Sequence, residues 1–427
     1  MEKHRVVITG MGVVAPNAIG KEDFLIALKN MKSGITHHQE LQDLKIRCEI
    51  GGAPALSEEY IKSKLSRPHF KTTSNKSVIY SLIAGMEAFQ DAQLTSNKDA
   101  PDYDMGIIFG NGAPTMDDFV LEKMNFIDQK NNRGSGARTI VQAMSNGSAA
   151  YLNEVIGCGN YISSNSAACS TGTNSVLEGF NLIQAGRAAR MLCGSTEGNK
   201  RYIWGTFDAM RILCTDSNHA PTTGSRPMSS TSSGFVPGSG AGALILESLE
   251  SAQKRGVPIY AEVLGGHANS GGLRGTGSMI APNNEAVQRC IQSAIQNSGI
   301  QATDIDLISA HLISSKADPI EVNNWIEALQ LPKERLPFIN TPKGMIGHCI
   351  AAAGSLEIIA CVLQLQHQFV HGNLNIEQLH PAIAERYPSD KIPRKSIDVP
   401  IDVIIKANFG FGDVNSCITL KKWDEHS

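Results

Sequence analysis

The sequence has no CxxC pair among its nine cysteines, no low-complexity tract and almost no excess of either charge. Scattered cysteines, odd in number, argue against a disulfide framework or a zinc ribbon and fit reduced thiols in a cytoplasmic protein. Lys and Arg total 38 against 41 Asp and Glu, a formal net charge of −3, so the basic excess of a nucleic-acid-binding domain is missing. No apolar run approaches the ~18 residues that a membrane span needs. Met1-Glu2-Lys3-His4 leads straight into Arg5-Val6-Val7-Ile8-Thr9 with no signal-peptide core. Glycine, by contrast, is abundant, at 40 of 427 residues, and 41% of the chain is hydrophobic. At ~100–200 residues per domain that length buries a large core in two or three domains' worth of chain. A glycine-rich intracellular enzyme is the expectation.

Strand-like and helix-like runs alternate almost throughout, which predicts an α/β layered architecture. Val6–Ile8, Met105–Gly110, Arg190–Gly194 and Ala241–Glu247 read as strands of the first part. Val78, Leu82, Met86 and Phe89 fall at i, i+4, i+8 and i+11, a helical stripe. After Lys254-Arg255-Gly256 the pattern restarts with Ile259–Val263, a helix over 284–298, strand Leu307–Ala310 and a helix over 319–329. Residues 347–368 form the longest helix candidate, and Ile401–Ala407 and Ser416–Leu420 close the chain as strands. The restart predicts two α/β halves, 1–255 and 256–427, in one rigid body.

Gly10-Met11-Gly12-Val13-Val14-Ala15 spells the dinucleotide fingerprint, but Pro16 and Gly20 interrupt the helix it should open and no acidic residue follows at ~20 positions. A tight turn leaving a buried strand is the better reading. Cys169 lies in Ser166-Ala167-Ala168-Cys169-Ser170-Thr171-Gly172, after strand-like Tyr161-Ile162-Ser163 and before a helical stretch. A cysteine at such a turn meets the helix dipole and unpaired N–H groups, which favour thiolate and can hold an oxyanion. The other cysteines read as buried structural residues. His311 follows a strand, and His348 is expected to open the long helix, each at an element end where a side chain can face a cleft. Lys343 adds a fixed charge, with Glu321 as the expected partner that steadies it.

Four segments together resemble the β-ketoacyl-acyl carrier protein synthases of the condensing-enzyme, thiolase-like superfamily, near the synthase II and type II polyketide ketosynthase types. They are Ala168-Cys169-Ser170-Thr171-Gly172, Ala310-His311, Lys343-Gly344-Met345-Ile346-Gly347-His348 with Ala352-Ala353-Gly354, and Phe409-Gly410-Phe411-Gly412. The resemblance spans essentially the whole chain. It implies two similar βαβαβαββ halves in a five-layer αβαβα sandwich, dimeric, with the nucleophile in the first half and both histidines in the second. It further implies that Cys169 takes an acyl group as a thioester. His311 and His348 would assist decarboxylation of a malonyl extender, and the N–H groups of Cys169 and Phe411 would form an oxyanion hole. Phe411 would gate the pocket and Lys343, with Glu321, would order it. No metal and no bound cofactor is implied; substrates arrive on the phosphopantetheine of an acyl carrier protein.

Departures from the family pattern bear on the substrate. His311-Leu312-Ile313-Ser314-Ser315 stands for HGTST, leaving Ser315 but replacing a pantetheine-binding threonine with Ile313. Asp413 stands where the family carries glycine; it either opposes thiolate formation or shapes the loop. Ala113 replaces a bulkier acyl-pocket gate and would admit a longer or stiffer chain. Serines occupy the acidic positions of the Arg226-to-Gly242 stretch. These changes point to a polyketide or polyene pathway over housekeeping fatty-acid elongation. Lys62, Lys64, Arg67 and Lys71, with Arg211, form the expected docking surface for an acidic carrier protein. The chain would act as a homodimer or beside a chain-length-factor-like subunit. The alternatives are that it is itself such a non-catalytic subunit, against which Cys169, His311 and His348 all speak, or a thiolase, which needs a second catalytic cysteine that Cys417 is poorly placed to supply.

Overall fold

A computed structural model describes residues 3–97, 99–198 and 201–424. Its first repeat contains strands β1 (Val6–Ala15), β2 (Met105–Asn111), β3 (Ile162–Ser163), β4 (Arg190–Glu197) and β5 (Gly240–Ser248). The second contains β6 (Ala261–Ser270), β7 (Leu307–Ser309), β8 (Phe338–Asn340), β9 (Val403–Gly410) and β10 (Val414–Lys422). Hydrogen bonding orders the first set β3-β2-β4-β5-β1 and the second β8-β7-β9-β10-β6. The two orders are the same when strands are counted from each repeat's start. Their parallel and antiparallel pairings match as well. The repeats join where Val6–Ile8 of β1 pairs antiparallel with Ala261–Val263 of β6.

Helices complete the layers. α1 (Lys76–Asp91) and α2 (Gly147–Ile156) cover the outer face of the first set of strands. α5 (Asn284–Asn297) and α6 (Asp318–Leu329) cover the outer face of the second. Between the two sets lie α3 (Thr171–Gln184) and α7 (Ala353–His367), each touching strands of both repeats and each other. The outcome is the five-layer α/β arrangement of the thiolase-like fold. α4 (Leu249–Arg255) and the left-handed Gly256 that ends it carry the chain from one repeat to the next. Burial on both sides explains why α7 is apolar almost all round. The segment Ile350–His367 does reach membrane-span length and hydropathy, contrary to the reading of the sequence, but 89% of it is buried in this core.

β1 runs well past the expected Val6–Ile8, and Gly10–Ala15 continues it instead of turning. Sterics explain this. A Cβ on Gly12 would sit 1.9 Å from the Ala84 carbonyl oxygen and one on Gly10 2.2 Å from that of Ala88. The glycines therefore let α1 lie directly on the strand. Where β6 no longer pairs with β1, carboxylates of α1 take over its amides: Asp91 accepts from Met11 N and Glu87 from Val13 N, both at 2.9 Å. At the centre the same device serves the site. A Cβ on Gly172 would meet Ser355 N at 2.3 Å, and one on Gly354 would meet Thr173 N at 2.4 Å. The first turns of α3 and α7 thus approach to backbone contact. All nine cysteines are buried and unpaired.

Candidate active site

Cys169 sits in a single turn, Ala168–Ser170, between β3 and α3. Ala168 is held in the left-handed region at φ 48°, a conformation that surrounding bonds must sustain. They are present: Ser170 Oγ reaches the carbonyls of Asn408 and Val414, both at 3.0 Å, and Thr171 Oγ1 accepts from Ala167 N at 2.8 Å. The first repeat's turn is thereby pinned to β9 and β10 of the second. Backbone N–H groups of Phe411 and of Cys169 itself point at the sulfur, which favours its anionic form.

The sulfur is not the low-pKa thiol that its helix terminus suggests. Burial pushes it up to about 12, and Lys343 together with the two N–H groups only partly offsets this. His348 Nε2 lies 3.0 Å from Sγ, and burial, then Lys343, pushes this imidazole down to about 3. His311 is held well below its usual value by burial and by Lys343. The resting site is therefore a neutral thiol beside two neutral imidazoles, whose rings meet edge to face at 5.3 Å. His348 does not open α7 as expected. It lies in a connector between the turn Lys343–Ile346 and the single turn Ile350–Ala352, held by its own N–H to Val236 O (2.7 Å) and by Gly238 N to its carbonyl (2.8 Å).

The predicted partnership of Lys343 with Glu321 is wrong. The Lys343 ammonium bonds Glu357, one turn into α7, and Lys406 of β9 bonds the other Glu357 oxygen at 2.8 Å. Burial would raise the Glu357 carboxyl, but Lys343 and Lys406 outweigh it and hold it at about 2. Glu321, at the first turn of α6, instead accepts from the amides of His311 and Leu312, both at 2.7 Å. Asp318 does the same for Ile313, Ser314 and Ser315 at 3.0–3.2 Å. These two carboxylates shape the turn that presents His311. Glu357, Lys406 and Asp318 were missed; the signal for the first two was a single charge inside an otherwise uncharged helix or strand.

A cavity of about 340 Å³ is lined by Cys169, His311 and His348, by Phe411 and Phe207, and by the exposed Ile280 and Ile320. Its walls are mainly apolar and include Ile313 and Ser315. The Phe411 ring packs edge to face on Phe207 at 6.1 Å. Ala113 does not line this cavity; it packs on the cluster of Leu41, Ile203, Trp204 and Ile350, of which Ile350 is the wall residue. Asp413 is wholly buried and accepts from Asn283 N (2.9 Å) and Leu273 N (3.1 Å), so it shapes the loop. Lys62, Lys64, Arg67 and Lys71 are exposed on two short helices, and Arg211 is exposed next to the cavity-lining Ile212. One donor atom from each of Cys169, His311 and His348 lies within 4.8 Å of the others, a spacing a metal could bridge.

Residues 3–252 match the family described as beta-ketoacyl synthase, N-terminal domain, and residues 260–377 match its C-terminal domain. The chain is 32% identical over 424 residues to 3-oxoacyl-[acyl-carrier-protein] synthase 1 of Buchnera aphidicola subsp. Acyrthosiphon pisum, covering 98% of this chain and 100% of that one. It is 29% identical over 423 residues to the enzyme of the same name from Escherichia coli strain K12, covering 98% and 99%. Among solved structures, it superposes on a type II PKS ketosynthase, solved with its acyl-carrier protein and bound to the hexaketide, with TM-score 0.87 and 26% identity, covering 99% and 100%. A beta-ketoacyl synthase from Burkholderia phymatum STM815 superposes with TM-score 0.89 at 23% identity, covering 99% and 100%, a likeness of fold.

Proposed function

Because this chain belongs to the beta-ketoacyl synthase family, we propose that it is an acyltransferase that condenses a Cys169-bound acyl group with malonyl-acyl carrier protein. The observation that carries this reading is Cys169 Sγ, 3.0 Å from His348 Nε2, beneath two backbone N–H donors in the wall of an apolar cavity. In the first half-reaction the thiol proton passes to His348 Nε2 as sulfur attacks the acyl thioester. The two N–H groups hold the tetrahedral oxyanion, and the departing phosphopantetheine thiolate takes the proton from His348. In the second, the malonyl C–C bond breaks, CO2 leaves, and its electron pair enters an enolate whose oxygen His311 and His348 hold. The enolate carbon attacks the acyl-cysteine, and collapse of the adduct expels the Cys169 thiolate, which takes up one proton from solvent to restore the thiol. His348 Nδ1 has no hydrogen-bond partner among the described residues. No neighbour dictates its tautomer, so Nε2 can accept in one half-reaction and donate in the other.

The substrate of this proposal is a long or unsaturated acyl chain of the polyketide or polyene type. The apolar cavity wall that includes Ile313 supports it; Ala113, being off the cavity, no longer does. The carrier protein would dock on the exposed Lys62, Lys64, Arg67, Lys71 and Arg211. The dimer, with a second copy or a chain-length-factor-like relative, would form at β3, which ends its sheet with Tyr161 and Ile162 exposed. Intact-mass analysis after incubation with short saturated and long unsaturated acyl-carrier proteins tests both levels. A stable acyl adduct absent from Cys169→Ala, and β-keto product formed with malonyl-carrier protein, are expected. Condensation that survives Cys169→Ala overturns the mechanism, and a clear preference for short saturated chains overturns the substrate class.

A further inference from the structure

The charge buried behind His311 is organised around one carboxylate. Lys406 is fully buried, with Nζ 2.8 Å from Glu357 Oε2, while Lys343 bonds Oε1. Oε2 accepts a second bond, from Asn408 Nδ2 at 3.0 Å. A carboxylate can only accept, so the Asn408 amide must turn its nitrogen toward Glu357. Its oxygen faces the other way and is taken by the Thr173 hydroxyl at 2.7 Å. The same Nδ2 lies 3.4 Å from His311 Nδ1. An amide nitrogen offers donors alone, so Nδ1 of His311 must be the bare nitrogen and its proton must reside on Nε2. The far edge of the ring from Asn408 then carries a hydrogen-bond donor.

We infer that Lys406 and Asn408 are positioning residues: Lys406 fixes Glu357, Glu357 orients the Asn408 amide, and that amide locks His311 as the Nε2–H tautomer. The value of that tautomer to an enolate oxygen rests on the function proposed above; the tautomer itself does not. Two cations on opposite oxygens leave the carboxylate no freedom to rotate. They also keep it a pure acceptor, since a protonated Glu357 could donate to the amide oxygen and flip it. Without Lys406, Oε2 keeps Asn408 as its sole strong partner and both side chains regain rotameric freedom. Lys343 and Glu357 would still form a neutral pair, so removal of Lys406 leaves no uncompensated charge in the core.

Two-bond proton–nitrogen correlation spectra of the full chain, with histidine nitrogens labelled, report the tautomer directly. The wild type should show His311 with its proton on Nε2. Lys406→Met should give a mixture of both tautomers and lower kcat for malonyl decarboxylation about tenfold, with KM unchanged and Cys169 acylation within about twofold of wild type. Asn408→Asp, which puts an acceptor against Nδ1, should move the proton to Nδ1 and lower kcat about a hundredfold. A wild-type His311 protonated on Nδ1, or a Lys406→Met variant with unchanged tautomer and kcat, overturns the inference. A tautomer shift in an enzyme that shows no condensation at all would support the relay and refute the proposed function.

Discussion

Replacing Asp413 by glycine removes the one carboxylate that ties the loop after Phe411 to the segment 271–283 over the cavity mouth. Two bonds are lost, to Asn283 N at 2.9 Å and Leu273 N at 3.1 Å. Hydrogen bonds to a charged group contribute ~1.5–3 kcal/mol each, or about 3–6 together. Asp413 stands at φ 61°, so glycine relieves ~1–2 kcal/mol of left-handed strain but costs ~0.5–1 in backbone entropy. The net loss is about 2–5 kcal/mol, confined to this contact because the bond from Gly412 N to Met279 O (2.9 Å) is untouched. Local opening should therefore become roughly thirtyfold to a few thousandfold more frequent. Hydrogen–deuterium exchange in peptides covering 271–283 and 409–414 measures it. Asp413→Asn keeps the left-handed residue and one acceptor oxygen and should fall between wild type and glycine. Exchange within twofold of wild type in Asp413→Gly would refute the clamp, and an order of effect with Asn worse than Gly would refute the bookkeeping of bonds against strain.

Two more expectations follow from the buried charges. With the Cys169 thiol pushed up to about 12, the thiolate fraction at neutral pH is minute and rises tenfold per pH unit. Iodoacetamide alkylation of the free enzyme, followed by intact mass, should accelerate steadily from pH 6 to pH 9, and a plateau below pH 8 would show a thiolate already formed. Glu357→Gln strips the shared counter-charge from Lys343 and Lys406 and should destabilise the protein by about 3–5 kcal/mol in denaturant titration. Lys406→Met, which leaves a neutral pair, should cost much less; equal losses would mean that the triplet is not electrostatically coupled.

Local features of the sequence single out Cys169, His311 and His348 as candidates, and the structure brings their side chains together. Small residues around Cys169 at a strand-to-helix junction, and His311 just beyond a strand, are features of neighbours in the chain. The restart of the strand pattern after Gly256 likewise announced a repeat, because hydrophobic period is written residue by residue. What depended on distant packing could not be read this way. Gly10 and Gly12 serve a close approach by α1, some 75 residues on, so the same letters that spell a turn build the middle of a strand. Lys343 has Asp318, Glu321, Glu327, Glu334 and Glu357 all within 25 positions, and only the docking of α7 between the two sets of strands selects Glu357. The thiol's acidity went the opposite way from its local environment because burial, a property of the whole assembly, outweighed the dipole of one turn. The chain's own order thus determined the alternation of strands and helices and the candidate groups that ride on it, but not that His348 sits in a connector and not at the head of α7. Partners, protonation and the walls of the cavity were decided only when two repeats closed on each other, since each depends on charges and surfaces brought together from opposite ends of the chain.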